Sequence, residues 1–209
     1  MKVGLSLLYL EVAGLGLEEW LSQGPSPGLY EVVDNGPLSP TQEQVERLRR
    51  LEGFSYTVHG PYDGINIASL NQELRRNSLE AHKRSMEMAC RLGAEVYVLH
   101  PGRALNGDAE LNRQAIYELL EYGEKLGLRV GLENGYAGSK PLTYLPKHFR
   151  ELEGVPIILD VGHAFVAGVL DEFLGLKERI LEVHFHDNDG TGDDHLCLGD
   201  GVIPWARIA

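Results

Sequence analysis

The sequence predicts an α/β protein built as a TIM-type (β/α)8 barrel that lacks its eighth strand. Short apolar runs alternate with amphipathic helical patterns along the whole chain. No Gly-x-Gly-x-x-Gly turn follows the first apolar run, which argues against a dinucleotide-binding sheet. Polar side chains that can bind metal follow one apolar run after another, as they do at the catalytic face of a barrel.

Seven apolar runs are too short for helices and are therefore predicted to be strands. They span residues 3–8, 30–33, 56–58, 96–99, 130–132, 156–159 and 180–183. A complete barrel has eight strands in about 250 residues, whereas this chain has 209. Residues 203–209 resemble the first turns of a helix with a proline near its start, so we expect a truncated C-terminus.

Three longer segments, residues 41–51, 71–92 and 109–126, carry apolar residues at i, i+3 and i+4 and are predicted helices. Gly93 and Gly127 come just after the last two segments, where a glycine commonly ends a helix. No linker or low-complexity tract interrupts the alternation, and we expect a single domain over residues 1–209.

The composition is that of a soluble globular protein, with 43% hydrophobic and 24% charged residues. No apolar run approaches the roughly 20 residues of a membrane span. Glu11 follows the first run where a secretion signal would have a small-residue cleavage site. Cys90 and Cys197 fit neither a disulfide framework nor a zinc knuckle. We therefore expect a cytoplasmic protein with reduced thiols and no membrane partner.

The formal net charge of −12 makes nucleic acid an unlikely partner, because binding by counterion release needs a basic face. A bound metal ion could still supply positive charge locally for a phosphate substrate.

Polar residues come directly after five consecutive predicted strands, namely His59, His100, Glu133, Asp160 and His184. The loops that follow add His163, His186, Asp193 and His195. Parallel strands present their carboxyl ends at one face of a barrel, so these side chains are expected to converge there. A lone histidine at a strand end is usually just hydrogen-bonded. Five histidines and carboxylates at the ends of five consecutive strands indicate a shared metal site.

Several imidazoles with a few carboxylates and no thiolate favour zinc, with manganese, cobalt or iron as alternatives. His82 and His148 lie within helical patterns, and we expect them to be solvated and without a role. His186 and Glu182 share the strand parity of His184. His186 either points inward or orients a ligand, and Glu182 lies either at the barrel bottom or beside a ligand.

Two cationic side chains, Arg103 and Lys140, follow predicted strands and could meet a substrate phosphate or carboxylate. Solvated surface charges are the more common outcome for such residues. Gly199-Asp200-Gly201 indicates a tight structural loop.

Six motifs, taken in order, resemble those of the xylose-isomerase-like TIM-barrel superfamily. They are His59-Gly-Pro-Tyr-Asp-Gly-Ile-Asn66, His100-Pro-Gly, Leu-Glu133-Asn, Asp160-Val-Gly-His163, His184-Phe-His186-Asp-Asn and Asp193-Asp-His195-Leu-x-Leu-Gly-x-Gly. This superfamily holds sugar isomerases and epimerases together with zinc-dependent abasic-site endonucleases. The resemblance runs over nearly the whole chain and does not separate these branches.

The resemblance implies that Glu133, Asp160 and His184 bind a metal common to both branches, with Glu133 also acting as a proton carrier. The family completes this set with a glutamate from strand eight, which is absent from this sequence. The endonuclease branch holds a trinuclear zinc cluster with further residues that match His59, His100, His163, Asp193 and His195. One to three divalent ions are therefore expected.

Two enzymatic functions and one non-enzymatic function remain open. The favoured one is a sugar or sugar-phosphate isomerase or epimerase that moves a proton between carbons with the help of a metal. The alternative is phosphodiester hydrolysis at an abasic site, for which the sequence offers ligands but no basic stripe. The third is a metal-holding barrel that binds a sugar or a protein without catalysis.

Overall fold

The sheet is parallel, and its seven strands follow one another in sequence order. A computed structural model describes residues 2–208 of the chain. The strands β1 to β7 are Gly4–Ser6, Leu29–Val33, Ser55–His59, Val96–Leu99, Arg129–Glu133, Ile157–Asp160 and Ile180–His184. The sheet curls into an open barrel with helices between the strands, and no eighth strand lies within residues 2–208. The predicted fold class is thus confirmed.

Eight α-helices connect the strands within the described residues. Helices α1 to α8 are Tyr9–Val12, Leu17–Ser22, Gln42–Arg49, Gln72–Leu92, Ala109–Lys125, Pro146–Glu151, Val161–Val166 and Leu170–Leu174. Among them, no helix combines the length and the apolar character that crossing a membrane requires. Cys90 and Cys197 are exposed free thiols.

The three long predicted helices each begin directly after a residue that caps their first turn. Thr41 and Gln44 form a reciprocal capping box at the start of α3. Asn71 and Asp108 accept hydrogen bonds from backbone N–H groups in the first turns of α4 and α5. Gly93, with φ of 82°, ends α4 in the left-handed conformation that glycine adopts without strain.

The two ends of the chain differ from the prediction. The first strand was expected over residues 3–8 but ends at Ser6, and α1 begins at Tyr9. Leu7 and Leu10 are buried, so the apolar residues after Ser6 pack into the core from a turn and a short helix and not from an extended strand. The expected terminal helix is a single 3-10 turn, Trp205–Arg207, and Ala209 lies outside the described residues.

The main core lies between the sheet and its outer helices, where large side chains such as Met86, Leu119 and Phe149 are fully buried. A small second cluster, formed by Val96, Val98 and Ile158, fills part of the barrel interior. Beside it, a cavity of about 830 Å³ runs along the barrel interior from the amino to the carboxyl ends of the strands. A cavity of this size can hold a small molecule.

His82 was expected to be solvated, and this prediction is wrong. It lies on the buried face of α4 with an exposed fraction of 0%, and its Nδ1 is 2.9 Å from the hydroxyl of Tyr97. The buried face of α4 also includes Ser78 and Ser85, so polar residues here belong to the packed stripe. The polar character of His82 therefore did not indicate that it lies on the solvent-exposed face of α4.

The expectation that His148 is solvated and without a role is also wrong. It is half-buried, and its Nδ1 accepts hydrogen bonds from the backbone N–H groups of Tyr144 and Leu145, both 3.3 Å away. These donors precede the first turn of α6, so His148 has a local structural role at the start of that helix.

We expect His82 to make folding stability depend on pH. Burial, followed by the charges of His100 and His59, lowers the pKa of His82 from 6.5 to about 3. Below pH 6.5 the unfolded chain binds a proton that the folded protein excludes. The free energy of unfolding should therefore fall with decreasing pH, by up to about 1.4 kcal/mol per pH unit.

Urea unfolding of metal-free protein at several pH values between 7.5 and 5 measures this slope. The variant His82→Gln keeps a polar group near Tyr97 but cannot titrate, so its slope should be smaller than that of the native protein. Equal slopes for the two proteins would contradict the prediction.

Candidate metal centre

The carboxyl ends of β3 to β7 bring the predicted site residues together. His59, Glu133, Asp160 and His184 are the last residues of four of these strands, and His100 directly follows β4. All five, together with the loop residues His163, His186, Asp193 and His195, line the same cavity. The expected convergence is therefore present in the geometry, and it groups into three neighbouring clusters.

The first cluster contains His59, His100 and Glu133. The Nε2 atom of His100 is 2.5 Å from Glu133 Oε2, and the Nε2 atoms of the two histidines are 3.1 Å apart. Burial, followed by the charge of His100, lowers the pKa of His59. His59 is therefore favoured in the neutral form that binds a metal.

The second cluster contains Glu133, Asp160 and His184, whose ligand atoms lie within 4.8 Å of one another. The Nδ1 atom of His184 is 3.2 Å from Glu133 Oε1. Burial raises the pKa of Glu133, but the charge of His100 and hydrogen bonds from His100 and His184 outweigh it and lower the pKa well below its usual value. Glu133 is thus an ionised carboxylate shared by two clusters.

Asn134 fixes the two strand ends that carry this second cluster. Its Nδ2 donates to the carbonyl of Asp160 at 2.9 Å, and its Oδ1 accepts from the N–H of Asp160 at 2.7 Å. The Asp160 carboxylate also caps α7 by accepting from the N–H of His163 at 2.7 Å. The orientation of Asp160 is therefore set by backbone contacts.

The third cluster is built from the loop residues. The Nε2 atom of His163 is 3.1 Å from Asp193 Oδ2, and that of His195 is 3.3 Å from Asp193 Oδ1. Burial lowers the pKa of His163, but the charges of Asp160 and other carboxylates, together with a hydrogen bond that His163 donates to Asp193, outweigh it and raise the pKa to about 9. Asp193 thus faces both imidazoles.

His186 points inward, which was one of its two predicted orientations. Its Nε2 lies 3.1 Å from Asp160 Oδ1, and its ring stacks on that of His195 with centroids 4.0 Å apart. The ring fits because residue 162 is glycine: a Cβ there would lie 2.1 Å from the Cε1 of His186. His186 therefore joins the third cluster as a possible ligand or as a residue that orients one.

Glu31 on β2 is a site residue that the sequence analysis missed. Its Oε2 is 3.0 Å from the Nε2 of His184. Burial raises the pKa of Glu31, but the charge of His184 and a hydrogen bond with it lower the pKa to about 2. A signal was present, because Glu31 interrupts the otherwise apolar predicted strand 30–33.

Glu182 lies beside the pair formed by Glu31 and His184. Its Oε1 accepts a hydrogen bond from the Thr57 hydroxyl at 3.2 Å and is 3.8 Å from the Nε2 of His184. Burial and then the charge of Glu31 raise the pKa of Glu182 to about 7. Of its two predicted positions, the place next to the candidate ligand His184 fits these contacts.

Buried polar atoms without a hydrogen-bond partner test whether these residues fit a metal. Six atoms of the site make no hydrogen bond of good geometry, although several lie close to a charged neighbour: Glu31 Oε2, Glu133 Oε2, Glu182 Oε2, His184 Nε2, His186 Nδ1 and Asp193 Oδ1. Leaving a buried polar group unsatisfied costs about 1–3 kcal/mol. Cations placed among these oxygen and nitrogen donors would relieve that cost, and the mixed donor set without thiolates fits zinc.

The two predicted cationic residues differ in their relation to the cavity. Arg103 is exposed at the cavity wall, and its guanidinium donates to the carbonyl of Tyr62 at 3.3 Å. Asn66 holds the backbone of Arg103 by accepting from its N–H at 3.0 Å. Lys140 is exposed at the end of a 3-10 turn with φ of 54°. Arg103 is thus the better placed of the two for an anionic group.

Comparison with known proteins places this geometry in a family. The sequence profile described as xylose isomerase-like TIM barrel matches residues 24–209. A probable endonuclease 4 of Aquifex aeolicus is 30% identical over an alignment of 222 positions. The alignment covers 91% of this chain and 75% of the relative.

Solved structures give the same result. A D-tagatose 3-epimerase-like protein matches with a TM-score of 0.87 and 27% identity, over 100% of this chain and 84% of that one. A protein from Thermus thermophilus, soaked with zinc chloride, matches with a TM-score of 0.74 and 25% identity, over 99% of this chain and 86% of that one. The chain therefore belongs to the xylose isomerase-like TIM-barrel family.

Proposed function

We propose that the protein is a divalent-metal-dependent isomerase or epimerase of a sugar or sugar phosphate. The observation that carries the proposal is the buried Glu133 carboxylate, which faces Asp160 and His184 at the end of a cavity of about 830 Å³. A cavity of this volume suits a small molecule. The likeness to the D-tagatose 3-epimerase-like protein supports the same class of substrate.

The first ion would be held by Glu133, Asp160 and His184. Donors for up to two more are present in the His59–His100 pair beside Glu133 and in the group formed by His186, Asp193 and His195, with zinc the preferred metal. A bound ion would supply Lewis acidity that polarises a substrate carbonyl and its neighbouring hydroxyl.

Glu133 is the proposed proton carrier. Its lowered pKa keeps it in the basic form near neutral pH, so it can accept a proton from the carbon next to a carbonyl. An isomerase would return this proton to the neighbouring carbon, whereas an epimerase would need a second carboxylic acid to protonate the same carbon from the opposite face. Asp160 stays fixed by Asn134 while this happens. Arg103 at the cavity wall would face a phosphate group if the substrate carries one.

Exchange of substrate C–H protons with solvent deuterium tests this proposal. Protein loaded with zinc, manganese or cobalt is incubated in deuterium oxide with a panel of sugars and sugar phosphates, and exchange is followed by NMR. We expect exchange with at least one compound and a reduction of about 10²–10⁴-fold in Glu133→Gln, because the proton carrier is lost.

A surface variant on helix α5, Glu110→Gln, removes the same charge away from the cavity and should exchange at the native rate. If loaded native protein exchanges no compound of the panel, the isomerase proposal is wrong.

Phosphodiester hydrolysis at an abasic site is the second candidate. Two observations favour it. The two additional clusters near Glu133 provide donors for several adjacent ions, and the chain shares 30% sequence identity with a probable endonuclease 4. The net charge of −12 weighs against it, since DNA binding relies on basic surface. Chelator-sensitive incision of an abasic oligonucleotide, without exchange on any sugar, would replace the first proposal by this one.

Glu31 is expected to strengthen metal binding through His184. Its negative charge, 3.0 Å from Nε2, favours the proton on that nitrogen and leaves Nδ1 free on the side of Glu133. We expect Glu31→Gln to weaken zinc binding by about 10–100-fold and Glu31→Ala to weaken it at least as much.

Competition with a fluorescent zinc chelator measures these affinities. The control is Glu43→Gln, an exposed carboxylate in the first turn of helix α3. Native affinity in both Glu31 variants would show that Glu31 does not act on the ligand histidine.

A further inference from the structure

We infer that Asp187 is a positioning residue that fixes the loop after β7 and thereby places Asp193 and His195 at the metal centre. The inference rests on the proposed metal-binding function of this site. Asp187 itself does not line the cavity, and neither of its carboxylate oxygens is left without a partner. Its role is therefore distinct from that of the ligands.

The Asp187 carboxylate ties together distant points of this loop. It is fully buried and accepts hydrogen bonds from the N–H of Gly199 at 2.9 Å, the N–H of Ile203 at 3.2 Å and the indole Nε1–H of Trp205 at 2.8 Å. Its backbone also exchanges two hydrogen bonds with Leu196, each 2.8 Å long. One residue thus holds the loop by both its side chain and its backbone.

The next residue, Asn188, anchors the same loop to the neighbouring strand connection. Its Nδ2 donates to the carbonyl of Gly162 at 3.2 Å, and its own carbonyl accepts from the N–H of Val202 at 2.9 Å. Gly201 passes so close that a Cβ there would lie 2.3 Å from Asp187 Oδ1 and from the Asn188 carbonyl oxygen. The close approach indicates a built contact rather than a loose loop.

The partners of Asp187 agree with this role. Its buried carboxylate accepts from N–H groups of Gly199, Ile203 and Trp205, so the loop itself satisfies its negative charge. Losing the negative charge would weaken all of these contacts together.

The position of the candidate ligands follows from these anchors. Asp193 and His195 lie in the segment between Asp187 and Leu196, and this segment is closed by the two backbone hydrogen bonds between those residues. His195 has φ of 51°, a left-handed conformation that a histidine keeps only when its surroundings impose it. The anchored loop supplies that constraint.

The experiment measures zinc content by elemental mass spectrometry and zinc affinity by chelator competition, in the purified full chain. Asp187→Asn has nearly the same size but turns an N–H₂ group toward N–H donors. We expect it to lower the zinc content as much as His195→Ala does, and to weaken the loosest ion by about 10–100-fold. The double variant Asp187→Asn/His195→Ala should lose no more zinc than either single variant, because both substitutions remove the same ion.

The control is Asp200→Asn, which removes the same charge from an exposed position in the same loop and should keep native zinc content. If Asp187→Asn folds and keeps full zinc, or folds and loses every ion, the inference is overturned. If the double variant loses more zinc than both single variants, the effects are separate and the inference is equally overturned.

A second variant covers the case in which Asp187→Asn does not fold. Trp205→Phe keeps an aromatic ring next to Phe185, whose ring centroid is 5.7 Å away, and removes only the indole donor. It should weaken the loosest ion without changing the others, whereas unchanged affinity overturns the inference.

Amide hydrogen exchange separates this inference from the proposed function. Faster exchange at Leu196 and Gly199 in Asp187→Asn, combined with no zinc binding by the native protein, would refute the metal proposal while leaving the anchoring contact in place. Unchanged exchange at these amides would refute the anchoring itself.

Discussion

The ionised carboxylate of Glu133 is the interaction on which the candidate centre depends. It is almost completely buried, and it faces His100 and His59 on one side and His184 on the other. A buried charge needs compensation, and here imidazoles from three other strand ends surround it. The first and second clusters are thus linked through one residue, because both share the negative charge of Glu133.

Charge compensation also explains why the site extends beyond the strand ends. Glu31, Asp160 and Asp193 add negative charge within the same cavity, and the pKa values of His184 beside Glu31 and of His163 beside Asp193 are raised. The positive charges of these protonated histidines compensate the neighbouring carboxylates. A divalent ion would replace their protons and leave neutral imidazoles as ligands, so the folded protein holds its donors together before any ion enters.

The sequence predicted the fold and the convergence of most candidate site residues because both follow from local pattern. Strand length and the position of a polar residue after an apolar run are readable along the chain, and they placed His59, Asp160 and His184 at strand ends, where the structure has them. Glu31 was missed because its importance comes from a partner on β7, which only the curl of the sheet brings within reach. His82 was misjudged because helix α4 buries a face that includes polar residues.

The contact between Gly162 and His186 links two positions that lie 24 residues apart in sequence, on consecutive β/α units. The imidazole occupies the space that a methyl group at position 162 would need. In the evolution of this family, an alanine could therefore be accepted at position 162 only after the side chain at position 186 became smaller or moved. The two positions should change in step among descendants of this sequence, and the order of replacement is fixed by the space available.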